Sequence, residues 1–445
     1  MSGLTVMVVD SGARGHVISK AYENNWDVDK IIVVGGNDFV GFERDKEVVV
    51  DRNCSMKDSN SILDLAIKYK PDLVDVAQDD ALAVGAVDLL LENGFEVFGP
   101  TKDAARLEWD KAFARELMKE HSIPHPDFTV FTDVGKAYEH TINLYNENPD
   151  SLVYVKAAGL CAGKGALAAR NLMEAHNAID AMSGFKEAGK TFLIEEGMEG
   201  EEYSAYVVTD GVNYYKFKTA QDNKRAFNND EGLQTGGMGA VAPSVVGERE
   251  IDVMDDLIIR PTIRALQERG TPYKGILYVG GMDTLKGTKV VEFNSRWGDP
   301  EVQAVLPLLK TDYLDLVQGV VTGNLNNVKF DQSHDNVRVC VVGASRGYPG
   351  DYSNVKGKRI FGLEEAMMFG VDVYGAGIKM EDGKFYADGG RLFSVVGEGD
   401  DIIEARCNAY AAMSMIHIDG NRLHYRTDIG WRDAERLYRQ LTSTS

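Results

Sequence analysis

Short apolar runs separated by longer, half-apolar stretches set the rhythm of the first quarter of the chain. Leu4–Val9, Ile31–Val34, Val48–Val50, Leu73–Val76 and Phe95–Phe98 read as strands, and Ser61–Lys70 and Leu82–Glu92 read as helices between them. Strands alternating with helices at this spacing predict a parallel, doubly wound sheet over residues 1–108. Ligands of such sheets gather at the carboxyl ends of the strands. Here those ends are Asp10–Gly15, Gly35–Asp38 and Gln78–Asp80. Gly99-Pro100 breaks the rhythm, and Ala104–Glu120 predicts one long helix that opens a second unit.

The pattern then changes. Residues 109–331 are richer in glycine loops and strand pairs: Val153–Lys156, Phe192–Glu195, Tyr203–Val208, Tyr214–Phe217, Gly275–Val279 and Val290–Phe293. Asp210-Gly211 and Lys286-Gly287 mark hairpin turns. Residues 332–445 open on Arg338–Gly343 and carry turns at Asp382-Gly383 and Asp388–Gly390. They predict a small α+β domain, so the whole reads as an α/β and α+β multidomain chain, without repeats or low-complexity segments.

Composition narrows the functional classes. The chain has 445 residues, enough for about three domains. It carries 48 Lys and Arg against 69 Asp and Glu, a formal net charge of −21. That excludes nucleic acid held on a broad basic surface and docking on anionic lipid. A phosphate-bearing ligand must be met by a few local cations and backbone N–H groups. No apolar run approaches the ~20 residues that span a bilayer, and Met1–Val9 lacks a basic leader region. Cys54, Cys161, Cys340 and Cys407 lie far apart, which argues against a disulfide framework or a zinc site and predicts a cytoplasmic protein.

Four segments carry candidate chemistry. Gly159–Gly165 follows a strand bearing Lys156, and three glycines in seven residues let backbone N–H groups fold over phosphates. Its spacing is one residue short of a Walker loop, and alone it reads as an ordinary β-turn. Glu292 and Asn294 sit two apart on a strand, so their oxygens share a face that suits Mg²⁺, with Arg296 next on that side. The bland alternative is a half-exposed strand with an ion pair. Asp283 nearby reads as a turn residue. Gln221–Arg225 followed by Thr235–Gly239 supplies cations and backbone donors, or is a solvated charge run in a loop. Ile194–Gly197 with Glu201–Tyr203 offers acceptors to an adenine edge and a carboxylate to ribose hydroxyls; without the other segments these are surface acids.

In this order the segments resemble the ATP-grasp ligases and, more closely, the phosphoribosylamine–glycine ligase family. The matching stretches are Gly99–Lys102, Lys111–Ala114, Lys156–Gly165, Gln221–Arg225, Thr235–Ala240, Glu292–Glu301 and Arg426–Trp431. The first loop departs from the family's Gly-Gly-Gly-Gly-Arg-Glu-His-Ala: it reads Asp10–Val17 and keeps only Arg14, His16 and part of the glycine content. Ala77-Gln78-Asp79 stands where the family has Gly-Pro-Glu, and Asn223 where it often has His.

The resemblance implies a central ATP-grasp fold with a mobile lid over about 125–197. It implies ligation of glycine to 5-phosphoribosylamine through glycyl phosphate, with ATP and Mg²⁺ or Mn²⁺, by a monomer or weak homodimer. Lys111, Lys156, Gly163, Lys164 and Gly165 would hold ATP phosphates. Glu195 and the backbone from Glu196 to Met198 would meet adenine, and Glu202 the ribose. Glu292 and Asn294 would hold the metal. Arg296 would clamp the glycine carboxylate and the transferred phosphoryl, Asp222 the glycine ammonium, and Lys224 with Arg225 the substrate phosphate. Arg14, His16, Asp79, Gly237 and Asp299 would complete the phosphoribosylamine side. Rival readings are another ATP-grasp carboxylate–amine ligase or carboxylase, which would share the lid, Lys156 and Glu292, and a nucleotide sensor that kept only the fold.

Overall fold

Five strands, β1 (Leu4–Val9), β2 (Val28–Val34), β3 (Glu47–Asp51), β4 (Leu73–Val76) and β5 (Val97–Phe98), form an all-parallel sheet in the order β3-β2-β1-β4-β5. This is seen in a computed structural model that describes residues 3–161 and 163–443. Both sheet faces are buried, as runs of Val and Ile require: Val6, Val8, Ile31 and Val33 feed one core, and Met7, Val9, Ile32 and Val34 the other. Helices α1 (Ala13–Glu23) and α2 (Ser59–Tyr69) connect the strands. The strand order reverses between β1 and β4, so their carboxyl ends open a crevice there.

The expected helix over Leu82–Glu92 begins earlier and is interrupted, giving α3 (Asp79–Ala83) and α4 (Ala86–Glu92), because Gly85 adopts φ +81°. The single helix expected over Ala104–Glu120 is likewise two, α5 (Arg106–Trp109) and α6 (Lys111–Glu120). Asp110 leaves helical geometry at φ −133° and its carboxylate accepts the Phe113 N–H at 3.1 Å, capping α6.

Four antiparallel strands follow, β6 (Phe128–Phe131), β7 (Val153–Ala157), β8 (Ala166–Ala169) and β9 (Phe192–Glu196), in the order β6-β9-β7-β8. Helices α7 (Val134–Glu147) and α8 (Leu172–Ala181) cover them over a separate core that includes Phe131, Tyr145, Val155, Ile179 and Phe192.

Next come β10 (Gly200–Thr209), β11 (Tyr214–Lys216), β12 (Gln221–Asp222), β13 (Arg225–Phe227), β14 (Glu231–Gln234) and β15 (Gly239–Ala242), then β16 (Gly275–Thr284) and β17 (Gly287–Asn294). A second antiparallel sheet runs β11-β10-β16-β17, and β13 pairs with β14 as a hairpin. Gly287 opens β17 opposite Thr284, so the turn holds Leu285 and Lys286 rather than Lys286-Gly287.

The strands that follow are β18 (Val337–Ser345), β19 (Arg359–Phe361), β20 (Asp372–Gly375), β21 (Ile378–Glu381), β22 (Lys384–Ala387) and β23 (Arg391–Gly399), with the two-residue β24 (His417–Ile418) and β25 (Leu423–His424) after them. β18, β23 and β20 continue a sheet that begins with β12 and β15, in the order β12-β15-β18-β23-β20. Two strands of the middle segment are therefore built into the carboxyl-terminal sheet. Among the described residues, no helix is long and apolar enough to cross a membrane.

Candidate active site

A chamber of about 880 Å³ is lined by residues from all four of these larger sheets. The β1 and β4 ends supply Asp10, Ser11, Gly12, Gln78 and Asp79, while β7, β9, β10, β12, β17 and β23, together with α5 and α6, supply much of the remaining wall. The third strand end expected to face ligand does not reach it. Asn37 instead donates to the Gly375 carbonyl at 2.8 Å, tying that loop to the carboxyl-terminal sheet.

At one end, Glu195 of β9 is buried between two cations. Arg115 of α6 donates to both its oxygens, at 2.7 and 3.1 Å, and Lys156 Nζ of β7 stands at 2.7 Å. Burial would push this carboxyl up, but Arg115 and then Lys156 hold it down at about 2. Met198 lines the wall beside it, and Glu196 turns outward to Lys289 at 3.2 Å.

The β7–β8 connection carries the glycine loop. Gly163 has φ +75°, and a Cβ on Gly165 would lie 2.7 Å from the Cys161 Cβ, so this close folding needs glycine at both positions. Gly163, Gly165 and Lys111 line the chamber, and Lys111 Nζ donates to the Gly159 carbonyl at 3.4 Å. Lys164 is exposed and stands off the chamber wall; Ala162 lies outside the described residues.

Glu292 and Asn294 share one face of β17 and both line the chamber. Among the described residues no donor meets the Glu292 carboxylate, and the buried Asn294 amide nitrogen has no partner. Turning that amide over puts an oxygen at the unpartnered position, on the same strand face as the carboxylate, and such a pair of oxygens suits a hard divalent cation. Gly280 of β16 lies opposite Glu292 and leaves the space clear. Desolvation would raise the Glu292 carboxyl, yet Lys224, Lys111, Lys156 and Arg296 together hold it below its ordinary range. The residues present fit a metal. Asp283 points elsewhere, ion-paired to Arg249 near the end of β16.

Arg296 is fixed by Glu108 at 2.9 Å and by the Trp297 carbonyl at 3.2 Å. Desolvation opposes its charge, but Glu108, Asp79 and Glu301 more than offset this, so the guanidinium stays protonated. Desolvation pushes Asp79 up, and Arg296 and Arg14 bring it below the usual carboxylate range. Asp222 differs. Desolvation raises it, Lys224 lowers it, Glu301, Glu202 and Glu292 raise it again, and the carboxyl settles at about 7. Lys224 pairs with Glu202 at 3.1 Å. Arg225 lies at the exposed rim on β13, donating to the Gly232 carbonyl at 3.0 Å.

Three residues expected on the substrate side are committed to protein. Arg14 lines the chamber, but it donates to Asp10 at 2.7 Å, the Trp297 carbonyl at 3.0 Å and Gln78 at 3.0 Å. His16 is corrected outright. Facing away on α1 and 1% exposed, it accepts the Gly375 N–H at 2.9 Å and packs edge-on to Phe39 and Tyr374. Gly237, at φ +111°, backs onto Pro300, and its neighbour Gly236 reaches the wall instead. Asp299 does line the chamber, 3.4 Å from Arg391 and hydrogen-bonded by Gln303 at 2.9 Å.

Sequence reasoning missed Glu108, Arg115, Glu301 and Arg391, all of which line the chamber. Glu301 closes the Asp299-Pro300-Glu301 stretch and was within reach of the motif. Arg391 follows a glycine turn, a weaker signal. Glu108 and Arg115 sit in helical stretches whose pattern says only that one face is buried.

This arrangement can bind a nucleotide along a cation-lined wall and place a second, carboxylate-bearing ligand beside Arg296. Comparison with known proteins agrees. Residues 4–108, 109–302 and 338–432 match the phosphoribosylglycinamide synthetase N domain, ATP-grasp (A) domain and C domain respectively. A phosphoribosylamine–glycine ligase of Caldanaerobacter subterraneus is 37% identical over 430 residues, 96% of this chain and 99% of that one. The Streptococcus pneumoniae enzyme of the same name is 36% identical over 435 residues, with 96% and 99% covered. The crystal structure of a phosphoribosylamine–glycine ligase from Thermotoga maritima superposes with a TM-score of 0.79 at 27% identity, covering 96% of this chain and all of that one. With all three family domains matched in order and relatives alike over nearly their full length, the chain belongs to the phosphoribosylglycinamide synthetase family.

Proposed function

We propose that this chain is an ATP-dependent ligase that joins glycine to 5-phosphoribosylamine, giving glycinamide ribonucleotide, ADP and phosphate in purine biosynthesis. The observation that carries the reading is the convergence of Lys111, Lys156, Glu292, Asn294 and Arg296 on one chamber, in a chain of this family. A carboxylate is a poor electrophile. Its oxygen therefore attacks the γ-phosphorus of ATP, ADP leaves, and glycyl phosphate results. The amine of phosphoribosylamine then attacks the acyl carbon, phosphate leaves, and the nitrogen loses a proton.

Such transfers depend on positioning and charge neutralisation. Lys111, Lys156 and the loop at Gly163 and Gly165 hold the phosphates. The β9 strand end from Glu195 to Met198 takes adenine, and Glu202 takes the ribose once released by Lys224. Arg296 grips the glycine carboxylate and the charge that develops on the phosphoryl group. Asp222 receives the glycine ammonium, and Lys224 and Arg225 face the substrate phosphate. Asp79 and Asp299 border the phosphoribosylamine side. Glu292 and Asn294 hold Mg²⁺ or Mn²⁺, which when bound neutralises phosphate oxygens.

The working division of the chain is 1–108, 109–331 and 332–445, with residues 125–197 closing as a lid that keeps water from the acyl phosphate. Free cysteines at 54, 161, 340 and 407 support a cytoplasmic setting.

The test is ADP release with candidate acids, with and without phosphoribosylamine made in situ. Glycine-dependent release that requires the amine is expected. Release with another acid, or without the amine, rejects the reading in favour of another ATP-grasp ligase. Arg296→Ala should abolish turnover while nucleotide affinity stays within about threefold, about 0.65 kcal/mol.

A further inference from the structure

Arg115 has no place in the reading above, yet it is one of the most heavily engaged side chains in the chamber wall. It projects from α6 and is 3% exposed. Besides gripping both oxygens of Glu195, it donates to the carbonyls of Val291 at 2.7 Å and Val290 at 3.3 Å. Those carbonyls immediately precede Glu292 on β17. Arg115 therefore ties the β9 strand to the strand that carries the candidate metal residues.

We propose that Arg115 is a positioning residue for nucleotide binding: by sharing the charge of Glu195, it leaves the Lys156 ammonium available to the nucleotide phosphates. The proposal rests on the reading of Lys156 as a phosphate ligand. Two cations around one carboxylate leave a net positive charge, and Lys156, the more exposed cation, is the one able to turn toward a ligand. Without Arg115 the carboxylate and Lys156 neutralise each other, and the phosphates meet no surplus charge. Removing Glu195 as well restores a lone cation. A guanidinium suits the task because its planar fork meets a carboxylate bidentately and still reaches a carbonyl.

The test is competition of ADP and of adenosine against a fluorescent ATP analogue in the full-length protein, with Mg²⁺ at a fixed concentration. Losing one charge-assisted contact should weaken ADP about ten- to a hundredfold in Arg115→Met. Adenosine, which has no phosphate, should change by less than about threefold, because the charge lost at Lys156 acts on the phosphates alone. The Arg115→Met/Glu195→Gln double variant should recover most of the ADP affinity.

Glu195→Gln alone should keep the ratio of ADP to adenosine affinity at least as high as in the parent, whatever it does to the adenine contact, which keeps the proposal testable if Arg115→Met does not fold. Parallel losses for ADP and adenosine in Arg115→Met would show a merely structural role. No recovery of ADP affinity relative to adenosine in the double variant, or a lower ratio of ADP to adenosine affinity in Glu195→Gln, would equally overturn the proposal. Lys156→Met separates the two readings. If it leaves ADP affinity intact, the phosphate role of Lys156 falls and takes the proposal with it; if it weakens ADP while Arg115→Met does not, only the role of Arg115 falls.

Discussion

Single residues in the chamber are defined by their charged neighbours as much as by their own chemistry. Glu195 and Asp222 are both carboxylates in one chamber, yet two cations hold the first at about 2, while neighbouring acids and desolvation leave the second at about 7. Only ionised Asp222 can receive an ammonium group. The kcat/KM for glycine, which reports the free enzyme, should therefore rise with pH through about 7. Asp222→Asn should remove that acid limb and lower kcat/KM about tenfold or more, the scale of one charged hydrogen bond. A limb that persists in the variant would assign it to another group. The shared face of Glu292 and Asn294 was legible from strand alternation alone. The burial of His16 was not, because an Arg-x-His spacing on a helix does not reveal which sheet packs against each side.

At the scale of elements, each apolar run read as a strand falls on one, since alternation and β-branched content are local properties, but β6, β8 and the short strands β12 to β15 had no such run to mark them. The breaks were harder to read. Asp110 stops one helix and caps the next, a role its place inside an amphipathic stretch conceals. That cap also sets Lys111 at the first position of α6, where its N–H meets the Ala158 carbonyl at 2.9 Å. Asp110→Ala should cost about 1 kcal/mol in chemical denaturation and raise the KM for ATP by moving Lys111. Asp110→Asn, which keeps an N-cap acceptor, should restore most of both. Equal behaviour of the two variants would argue against the cap.

The whole molecule is held together by polar ties between units distant in sequence. Asp75 of β4 accepts from Tyr22 at 2.9 Å and from Tyr313 at 3.2 Å, and Tyr313 in turn receives the Trp297 indole N–H at 3.3 Å. Trp297 is the neighbour of Arg296, so this buried chain braces the parallel sheet against the segment that follows β17. Burial pushes Asp75 up to about 7. The folded state thus holds a proton that the unfolded chain releases near pH ~4, and stability from this group falls as pH rises from there to about 7. Asp75→Asn should flatten that part of the pH dependence of the unfolding midpoint and gain on the order of 1–4 kcal/mol at pH 8. An unchanged pH dependence would show that Asp75 is ionised in the fold. His16 accepts the Gly375 N–H and Asn37 donates to the Gly375 carbonyl, tying the amino-terminal sheet to the carboxyl-terminal one.

What the sequence determined by itself was local. Periodicity set the order of elements, glycine spacing marked the loop after β7, and the two-residue repeat of a strand put Glu292 and Asn294 side by side. It also showed that a chain of net charge −21 must meet phosphates through a few chosen cations. The tertiary structure decided which of the candidate cations line one chamber and what holds them there. Arg115 reaches Glu195 across 80 positions, β12 and β15 pair into a sheet that begins a hundred residues later in the chain, and Arg391 arrives from the far end to meet Asp299. Backbone geometry and side-chain alternation act between near neighbours and so are written in the sequence. Desolvation and charge pairing depend on which distant surfaces share a dry interior, and that is settled only when the sheets pack.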